Sequence, residues 1–192
     1  MKSEGFFAKV VDKNAFRPAA FYMMIMFAGQ AVIGYLVAYG KAENIPNPGV
    51  FFTVQAVTVY IASLFVGHID ERFGSKAVLL PGFAFYFLAM ATALFPLSYT
   101  TIFISGIFFG LGVALVQPEL SSLAVRMAGA EHRGKANSTV GVMMDIGGAS
   151  AGLIFGFMID TSGYRSIYAF AALIIVLIAV VYIIMNKKKQ IL

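Results

Sequence analysis

The sequence has no cysteine and few charged residues, and each shortage excludes a class of protein. Without cysteine among its 192 residues, the chain has no disulfide framework and no thiolate metal site. Charged residues make up 12% of the chain, whereas an ordinary globular domain has about 25%. No Asp, Glu, Lys or Arg occurs in residues 18–40 or 77–118. Uncharged runs of this length do not suit a soluble core, but a helix of about 20 apolar residues matches the hydrocarbon core of a bilayer.

Six apolar runs predict an all-α membrane protein with six transmembrane helices. Turn-forming residues separate the runs, for example at 44–49, 96–98 and 161–163. The six-span bundle covers residues 18–185, between a cytoplasmic lead-in at 1–17 and a basic cytoplasmic tail at 186–192. Within the lead-in, Phe6, Phe7, Val10 and Val11 recur at helical spacing, which predicts an amphipathic surface helix; a plain solvated segment is the alternative. The predicted spans are residues 18–39, 50–69, 77–97, 101–125, 136–159 and 167–185.

The positions of Lys and Arg predict the orientation of the bundle. If both termini are cytoplasmic, the inside segments hold twelve basic residues and the outside loops hold two, Lys41 and Arg165. By the positive-inside rule this asymmetry places both termini in the cytoplasm, and we expect the cytoplasmic membrane of a bacterium or archaeon. The net charge of +5 is thereby explained by topology. It does not indicate a nucleic-acid partner.

Two loops carry the same pattern and predict an internal repeat. In each, an acid lies four residues after a glycine, a second glycine seven after it and a base nine after it. The copies begin at Gly67 and Gly156, 89 residues apart. Three predicted spans separate them, so they lie on opposite sides of the membrane. This arrangement is typical of the three-plus-three inverted repeat of secondary transporters; chance recurrence of glycine-rich turns is the alternative.

The first copy, residues 67–76, resembles the major-facilitator loop signature G-x-L-a-D-r-x-G-r-k. Glu71 stands at the Asp position of the signature and Ser75 at one of its basic positions. Residues 110–118, 133–139, 145–147 and 163–165 resemble the last three helices of drug- and metabolite-efflux members. The resemblance covers residues 6–189 and implies the C-terminal half of a major-facilitator fold. The residues that match the signature are Gly67, Arg72, Gly74 and Lys76.

This resemblance implies secondary active transport by alternating access, in the form of proton-coupled efflux of a small apolar or amphipathic molecule. The family has about twelve spans, so a chain of six needs either an N-terminal six-helix half or a second copy of itself. A parallel homodimer could mimic the axis along the membrane normal that relates the two halves. The alternative function is a non-transporting membrane module that binds a partner helix bundle.

Two carboxylates lie within the predicted spans and are candidates for proton coupling, because an intramembrane acid is costly and functional by default. Asp145 shares a helix face with Gly148, Gly152 and Gly156, and small residues at this spacing predict close packing against protein. Glu119 lies on the fourth span, which lines the central cavity in the family. Burial there would let Glu119 exchange a proton near neutral pH. The alternatives are a structural lock for Asp145 and pairing with Arg126 for Glu119.

A few polar, aromatic and flexible residues within the spans are candidates for lining a substrate cavity. A wall of methionine and aromatic side chains with few hydrogen-bonding groups suits apolar molecules of varied shape. Interhelical hydrogen bonding is the alternative for the glutamines. The candidates are Gln30, Met26, Gln55, Tyr60 and Phe108.

One motif suggests an enzyme, but its chemistry is incomplete. Residues 148–152 match the G-x-S-x-G pattern of serine hydrolases, with Ser150 as the nucleophile. No histidine occurs in the sixth predicted span, and without a base the hydroxyl is not activated. We therefore expect no enzymatic activity, no cofactor and no metal.

Overall fold

The computed structural model describes residues 11–187, apart from the side chain of Glu71, and these residues form a helical bundle. Six segments are long and apolar enough to cross a membrane, and no strand occurs within residues 11–187. The surface helix expected around Phe6, Phe7 and Val10 lies outside the described residues, as does the tail after Lys187. The helices are α1 (Phe16–Ile33), α2 (Leu36–Ala42), α3 (Val50–Phe73), α4 (Ser75–Thr92), α5 (Tyr99–Ala128), a 3-10 turn (Ala130–His132), α6 (Arg133–Ser162) and α7 (Tyr164–Lys187).

The first membrane segment, predicted as one helix over residues 18–39, is broken into α1 and α2. The Gly34 N–H donates to the Gln30 carbonyl oxygen at 2.9 Å and closes α1, and Tyr35 with φ −124° separates it from α2. A Cβ on Gly34 would lie only 2.9 Å from that carbonyl oxygen, so glycine suits the break. The Tyr35 hydroxyl donates to the Gly152 carbonyl oxygen at 2.9 Å. The break is thereby fixed against α6.

The two predicted repeat loops adopt the same backbone conformation. Gly74 has φ 75° and ψ 170°, and Gly163 has φ 75° and ψ 172°, a region of backbone conformation that essentially only glycine enters. Each glycine N–H closes the preceding helix. The Gly74 N–H donates to the backbone carbonyl oxygen of Asp70 at 2.8 Å, and the Gly163 N–H donates to that of Ile159 at 2.9 Å. One glycine thus joins α3 to α4 and α6 to α7. Gly129, after α5, has a similar conformation, so this turn also occurs outside the repeat.

The helices pack in the pairing that an inverted repeat requires. The first span (α1 and α2) packs through α1 along α6, and the fourth span, α5, packs along α3. The first span of each repeat therefore contacts the second span of the other. Likewise α4 packs against α5, α7 packs against α1, and the two third spans, α4 and α7, pack together. The predicted three-plus-three architecture is confirmed.

The helices α3 and α6 are the least buried part of the bundle. In their most apolar stretches 11% and 17% of the residues are buried, against 39–50% in the other spans. Large apolar side chains stand out from them, with Phe65 62%, Leu153 80% and Phe157 72% exposed. These two helices therefore present a broad apolar surface that the bundle itself does not cover.

The close packing of α6 uses a different face from the one predicted. A Cβ on Gly147 would collide with the backbone of Met23 in α1, and Ala151 and Phe155 on the same face are fully buried. By contrast, a Cβ on Gly148 or Gly152 would meet no group within 4 Å. Within the described residues Asp145 is exposed, and Tyr35 contacts its face at the Gly152 carbonyl oxygen. Close packing of this face against a further protein unit stays a prediction. Neighbouring residues differ by about 100° around a helix, and small residues occupy both faces.

Candidate functional site

A cavity of about 220 Å³ lies where α1, α3, α4 and α5 meet. Its wall is largely apolar and flexible, with two amide side chains and one tyrosine hydroxyl as polar groups. The break after α1 lies at one side of it, and Pro118, which lacks a backbone N–H donor, directly follows the lining residue Gln117 within the continuous helix α5. The lining residues are Ile25, Met26, Gly29, Ile33, Gln55, Tyr86, Phe109, Val113 and Gln117.

The amide of Gln117 is the centre of the polar part of the cavity. Its Oε1 accepts from the Tyr22 hydroxyl at 3.4 Å, and its Nε2 donates to the Tyr86 hydroxyl at 3.4 Å. The same Nε2 contacts the Met26 sulfur at 3.6 Å. All three contacts are long, so a bound molecule with a hydrogen-bonding group could replace them at small cost.

The structure brings only some of the predicted cavity residues together. Met26 and Gln55 line the cavity. Gln30 lies one helical turn before Gly34 at the helix break. Its side-chain Nε2 would be 3.4 Å from a Cβ atom added to Gly34. Tyr60 is 69% exposed on α3, and Phe108 stacks on Phe85 at 6.2 Å between ring centroids. The substrate role of these residues stays a prediction.

Two residues of the cavity, Gln117 and Tyr86, were not predicted as substrate contacts. Gln117 follows Phe109 and Val113 at four-residue intervals, which places all three on one face of α5. That spacing was readable from the sequence. Tyr86 lies in an aromatic-rich helix, and nothing in its local pattern separates it from its neighbours.

A charged cluster lies near the end of α5 that follows Pro118. Arg126 Nη2 donates to Glu119 Oε1 at 2.5 Å and to Ser75 Oγ at 2.9 Å, and Arg126 Nη1 donates to Asp70 Oδ2 at 3.1 Å. Glu119 is only 4% exposed. The arginine thereby joins α3, α4 and α5. Pairing of Glu119 with Arg126, which the sequence left as the alternative, is what the structure contains.

A cavity of about 280 Å³ adjoins this cluster between α3 and α5. Gly67, the first glycine of the loop signature, lines it together with Asp70, Pro118 and Glu119. Glu119 therefore has an open space on one side and an arginine on the other.

The second candidate acid, Asp145, occupies a different setting. It is exposed on α6, and among the described residues it forms no ion pair. It belongs to the apolar surface of α3 and α6 that the bundle leaves uncovered. A carboxylate at membrane depth that faced lipid would be costly, so its position favours contact with a further protein surface or with water.

The remaining signature residues lie in or next to the turn between α3 and α4. Gly74 forms the turn between α3 and α4, and Lys76 lies in the first turn of α4. The Arg72 guanidinium lies 5.3 Å from the centroid of the Phe73 ring. The side chain of Glu71 lies outside what the structure describes, so its predicted role stays untested.

Ser150, the serine of the hydrolase-like motif, is bound to its own helix. Its hydroxyl donates to the carbonyl oxygens of Ile146 at 2.7 Å and of Gly147 at 3.1 Å. The hydroxyl is therefore directed along its own helix, towards the backbone of the preceding turn.

A membrane bundle built from an inverted repeat, with a cavity beside an interrupted first span, has the architecture of a secondary transporter. The family model of the Major Facilitator Superfamily matches residues 19–191, and the chain belongs to this family. The predicted family, and the prediction that the chain is not an enzyme, are confirmed.

Curated relatives and a solved structure support this assignment. The chain is 30% identical over 116 residues to "Multidrug resistance protein MdtH" of Citrobacter koseri, a match that covers 60% of the chain and 29% of the relative. It is 28% identical over 117 residues to the protein of that name in Salmonella arizonae, covering 61% and 29%. A crystal structure of a mutant of peptide transporter POT in complex with alafosfalin shares the fold, with a TM-score of 0.73 at 19% identity. That likeness covers 97% of this chain and 40% of the transporter. The chain therefore matches less than half the length of each of these proteins.

Proposed function

We propose that this chain is one half of a secondary active transporter that moves a small apolar or amphipathic molecule by alternating access. The observation that carries the proposal is the cavity between the broken first span and the proline-containing fourth span, with Gln117 at its polar centre. Family membership supports a role in transport. The relatives that are named multidrug resistance proteins favour outward movement.

The cavity has the chemistry of a partial site. Its volume of about 220 Å³ is below the range of about 300–1,000 Å³ that is usual for small-molecule sites. An apolar wall with Met26 and two aromatic rings can adjust to different shapes. We infer that a second six-helix unit completes the site from the other side.

The uncovered surface of α3 and α6 is the surface that we assign to this second unit. It includes Leu153 and Phe157, which are more exposed than most apolar residues of the bundle. It also includes Asp145, which a partner would remove from lipid. The partner is an N-terminal six-helix half or a second copy of this chain.

Proton coupling is assigned to Glu119 or Asp145. Glu119 is buried, adjoins a cavity and is paired with Arg126. We infer that a role in coupling would require this pair to separate, with Arg126 remaining bound to Asp70. Asp145 has no such partner in residues 11–187, so its proton exchange depends on what the second unit places beside it.

The experiment that tests the proposal combines cross-linking with transport. A photo-crosslinking amino acid at position 153 should capture the partner, and the same group at Leu173, 55% exposed on α7, is the matched control. The chain is then reconstituted in proteoliposomes alone and with a candidate N-terminal half, and flux of a fluorescent amphipathic dye is followed under a pH gradient. We expect capture at 153 and dye flux in the same preparation. Capture at 153 without gradient-driven flux of any tested dye would favour the non-transporting module.

A further inference from the structure

A groove runs along the seam between α4 and α7, away from the central cavity. It has a volume of about 310 Å³, and its wall includes Leu80, Phe83 and Phe87 from α4 and Val176, Val180 and Ile183 from α7. All are apolar, and Phe87 and Val180 are 38% and 46% exposed. On α4 the neighbouring Tyr86 faces the central cavity, so Phe87 and the groove lie on a different side of the helix.

The groove ends in a basic pocket. A second cavity of about 190 Å³ is lined by Lys76, Tyr182, Asn186 and Lys187, and it shares Leu80 and Ile183 with the groove. Both lysines are exposed, and neither forms an ion pair with a carboxylate that the structure describes. Two lysine ammonium groups and the Asn186 amide therefore lie at one end of the apolar groove.

The length of this groove matches the thickness of one leaflet of a bilayer. The distance along α4 from Lys76 to Phe87 is about 16 Å at 1.5 Å per residue, and half of the hydrocarbon core is about 15 Å. Lys76 and Lys187 lie at the end of the bundle where most Lys and Arg residues are found. That end is predicted to face the anionic, cytoplasmic leaflet.

We propose that the seam of α4 and α7 binds an anionic phospholipid of this leaflet. Its phosphate lies between Lys76 and Lys187, and one acyl chain lies along Leu80, Phe87 and Val180. Basic pockets between transmembrane helices recognise lipid head groups in this way. A partner helix is a poorer occupant, because it would bury the two lysines in an apolar contact. The uncovered surface of α3 and α6 is the larger and less charged place for a partner.

The absence of tryptophan from the sequence allows a direct test. In the full chain with Phe87→Trp, reconstituted in mixed vesicles, brominated acyl chains quench the fluorescence of the single tryptophan on contact. Quenching is compared between brominated phosphatidylglycerol and brominated phosphatidylcholine. Since each lysine near the membrane surface contributes about fivefold to binding of anionic lipid, we expect a clear preference for phosphatidylglycerol. Lys187→Gln should lower it by about fivefold, and Lys76→Gln with Lys187→Gln should abolish it.

Two further variants separate the site from general surface charge. Lys135→Gln removes a positive charge from α6, near the same end of the bundle, and should leave the preference unchanged. Ala179→Phe fills the groove and keeps both lysines, and it should also reduce the preference. Addition of inorganic phosphate should not displace the lipid.

Four results would overturn the proposal. The first is equal quenching by the two lipids, and the second is a preference that survives the double lysine variant or the filled groove. The third is a result that assigns the preference to another source. An equal loss of the phosphatidylglycerol preference in Lys135→Gln would indicate nonspecific charge, and displacement of the lipid by inorganic phosphate would indicate a site for a free anion. The fourth is no quenching by either lipid, which would mean that protein covers the groove.

Discussion

Arg126 donates to Glu119 within 2.5 Å, from two turns further along the same helix. The buried acid that the sequence marks as a proton carrier is thus paired with a half-exposed arginine. The same guanidinium also binds Asp70, which directly precedes the acid of the loop signature. Arg126 therefore links the buried carboxylate of Glu119 on α5 to Asp70 in the last turn of α3.

The ion pair predicts that Arg126→Gln destabilises the chain. Removal of one partner of a buried pair costs about 3–5 kcal/mol, and because Arg126 is 46% exposed, we expect a smaller loss of about 1–3 kcal/mol. The loss should appear as a lower midpoint of thermal unfolding in detergent. Adding Glu119→Gln should restore part of it, because the buried carboxylate is then no longer left unpaired, although Asp70 still is. The control is Arg72→Gln, an exposed arginine without an ion pair to a described carboxylate, and strictly additive losses in the double variant would contradict the prediction.

The two candidate acids should differ when they are made neutral. On the isolated chain we expect Asp145→Asn to leave the unfolding midpoint unchanged, because Asp145 is exposed and unpaired among the described residues. In the assembled transporter both Glu119→Gln and Asp145→Asn should keep substrate exchange, since neither residue lines the cavity around Gln117. At least one should abolish accumulation driven by a pH gradient, because an amide cannot exchange a proton. Accumulation at the original rate in both variants would exclude proton coupling through these acids.

The sequence predicts the membrane segments well because apolar length and turn residues are local properties. The number of spans, the repeat and the glycine turns at Gly74 and Gly163 all follow from them. The break at Gly34 was not predicted, because it is held by the bond from Tyr35 to Gly152 in a distant helix. The sequence pattern favours the face of Gly148 and Gly152 for close packing, whereas the neighbouring face of Gly147 packs against α1. Small residues lie on both faces, so periodicity alone does not distinguish them.

The turn glycines predict a position-specific cost of alanine. At φ 75° with ψ near 170°, a side chain costs about 1–3 kcal/mol, so Gly74→Ala and Gly163→Ala should each lower stability by this amount. Gly148→Ala is the control, because its Cβ meets nothing within 4 Å and alanine favours the helix. Unfolding of the purified variants in detergent measures the difference. If Gly163→Ala were as stable as Gly148→Ala, the turn conformation would be wrong.

Gln117 should determine how well hydrogen-bonding substrates are recognised. Gln117→Leu keeps the side-chain volume but removes both contacts to tyrosine hydroxyls, and each hydrogen bond contributes about 0.5–1.5 kcal/mol. We expect the KM for a substrate with a hydrogen-bonding group to rise by about threefold to tenfold, with little change for a purely apolar one. Phe108→Leu, outside this cavity, serves as the control. A uniform loss across both substrate types would instead indicate collapse of the cavity.

The orientation can be tested with single cysteines, because the chain has none of its own. Cysteine in place of Lys41 or Glu43 should react with a membrane-impermeant maleimide added to intact cells. Cysteine in place of Arg72 or His132 should react only after the membrane is opened. Labelling in the reverse pattern would overturn the predicted orientation and the leaflet assigned to the basic pocket.

The single-residue connections have a mechanical consequence. Gly74 alone joins α3 to α4, and Gly163 alone joins α6 to α7, so neither pair of helices has slack to slide apart. Relative motion within each pair is limited to a change of angle at the glycine. The longer connections at residues 43–49 and 93–98 and the interruption after Ile33 leave room for relative displacement. Any change of shape in this half is therefore concentrated around the first span and the start of the fourth, the two spans between which the cavity lies.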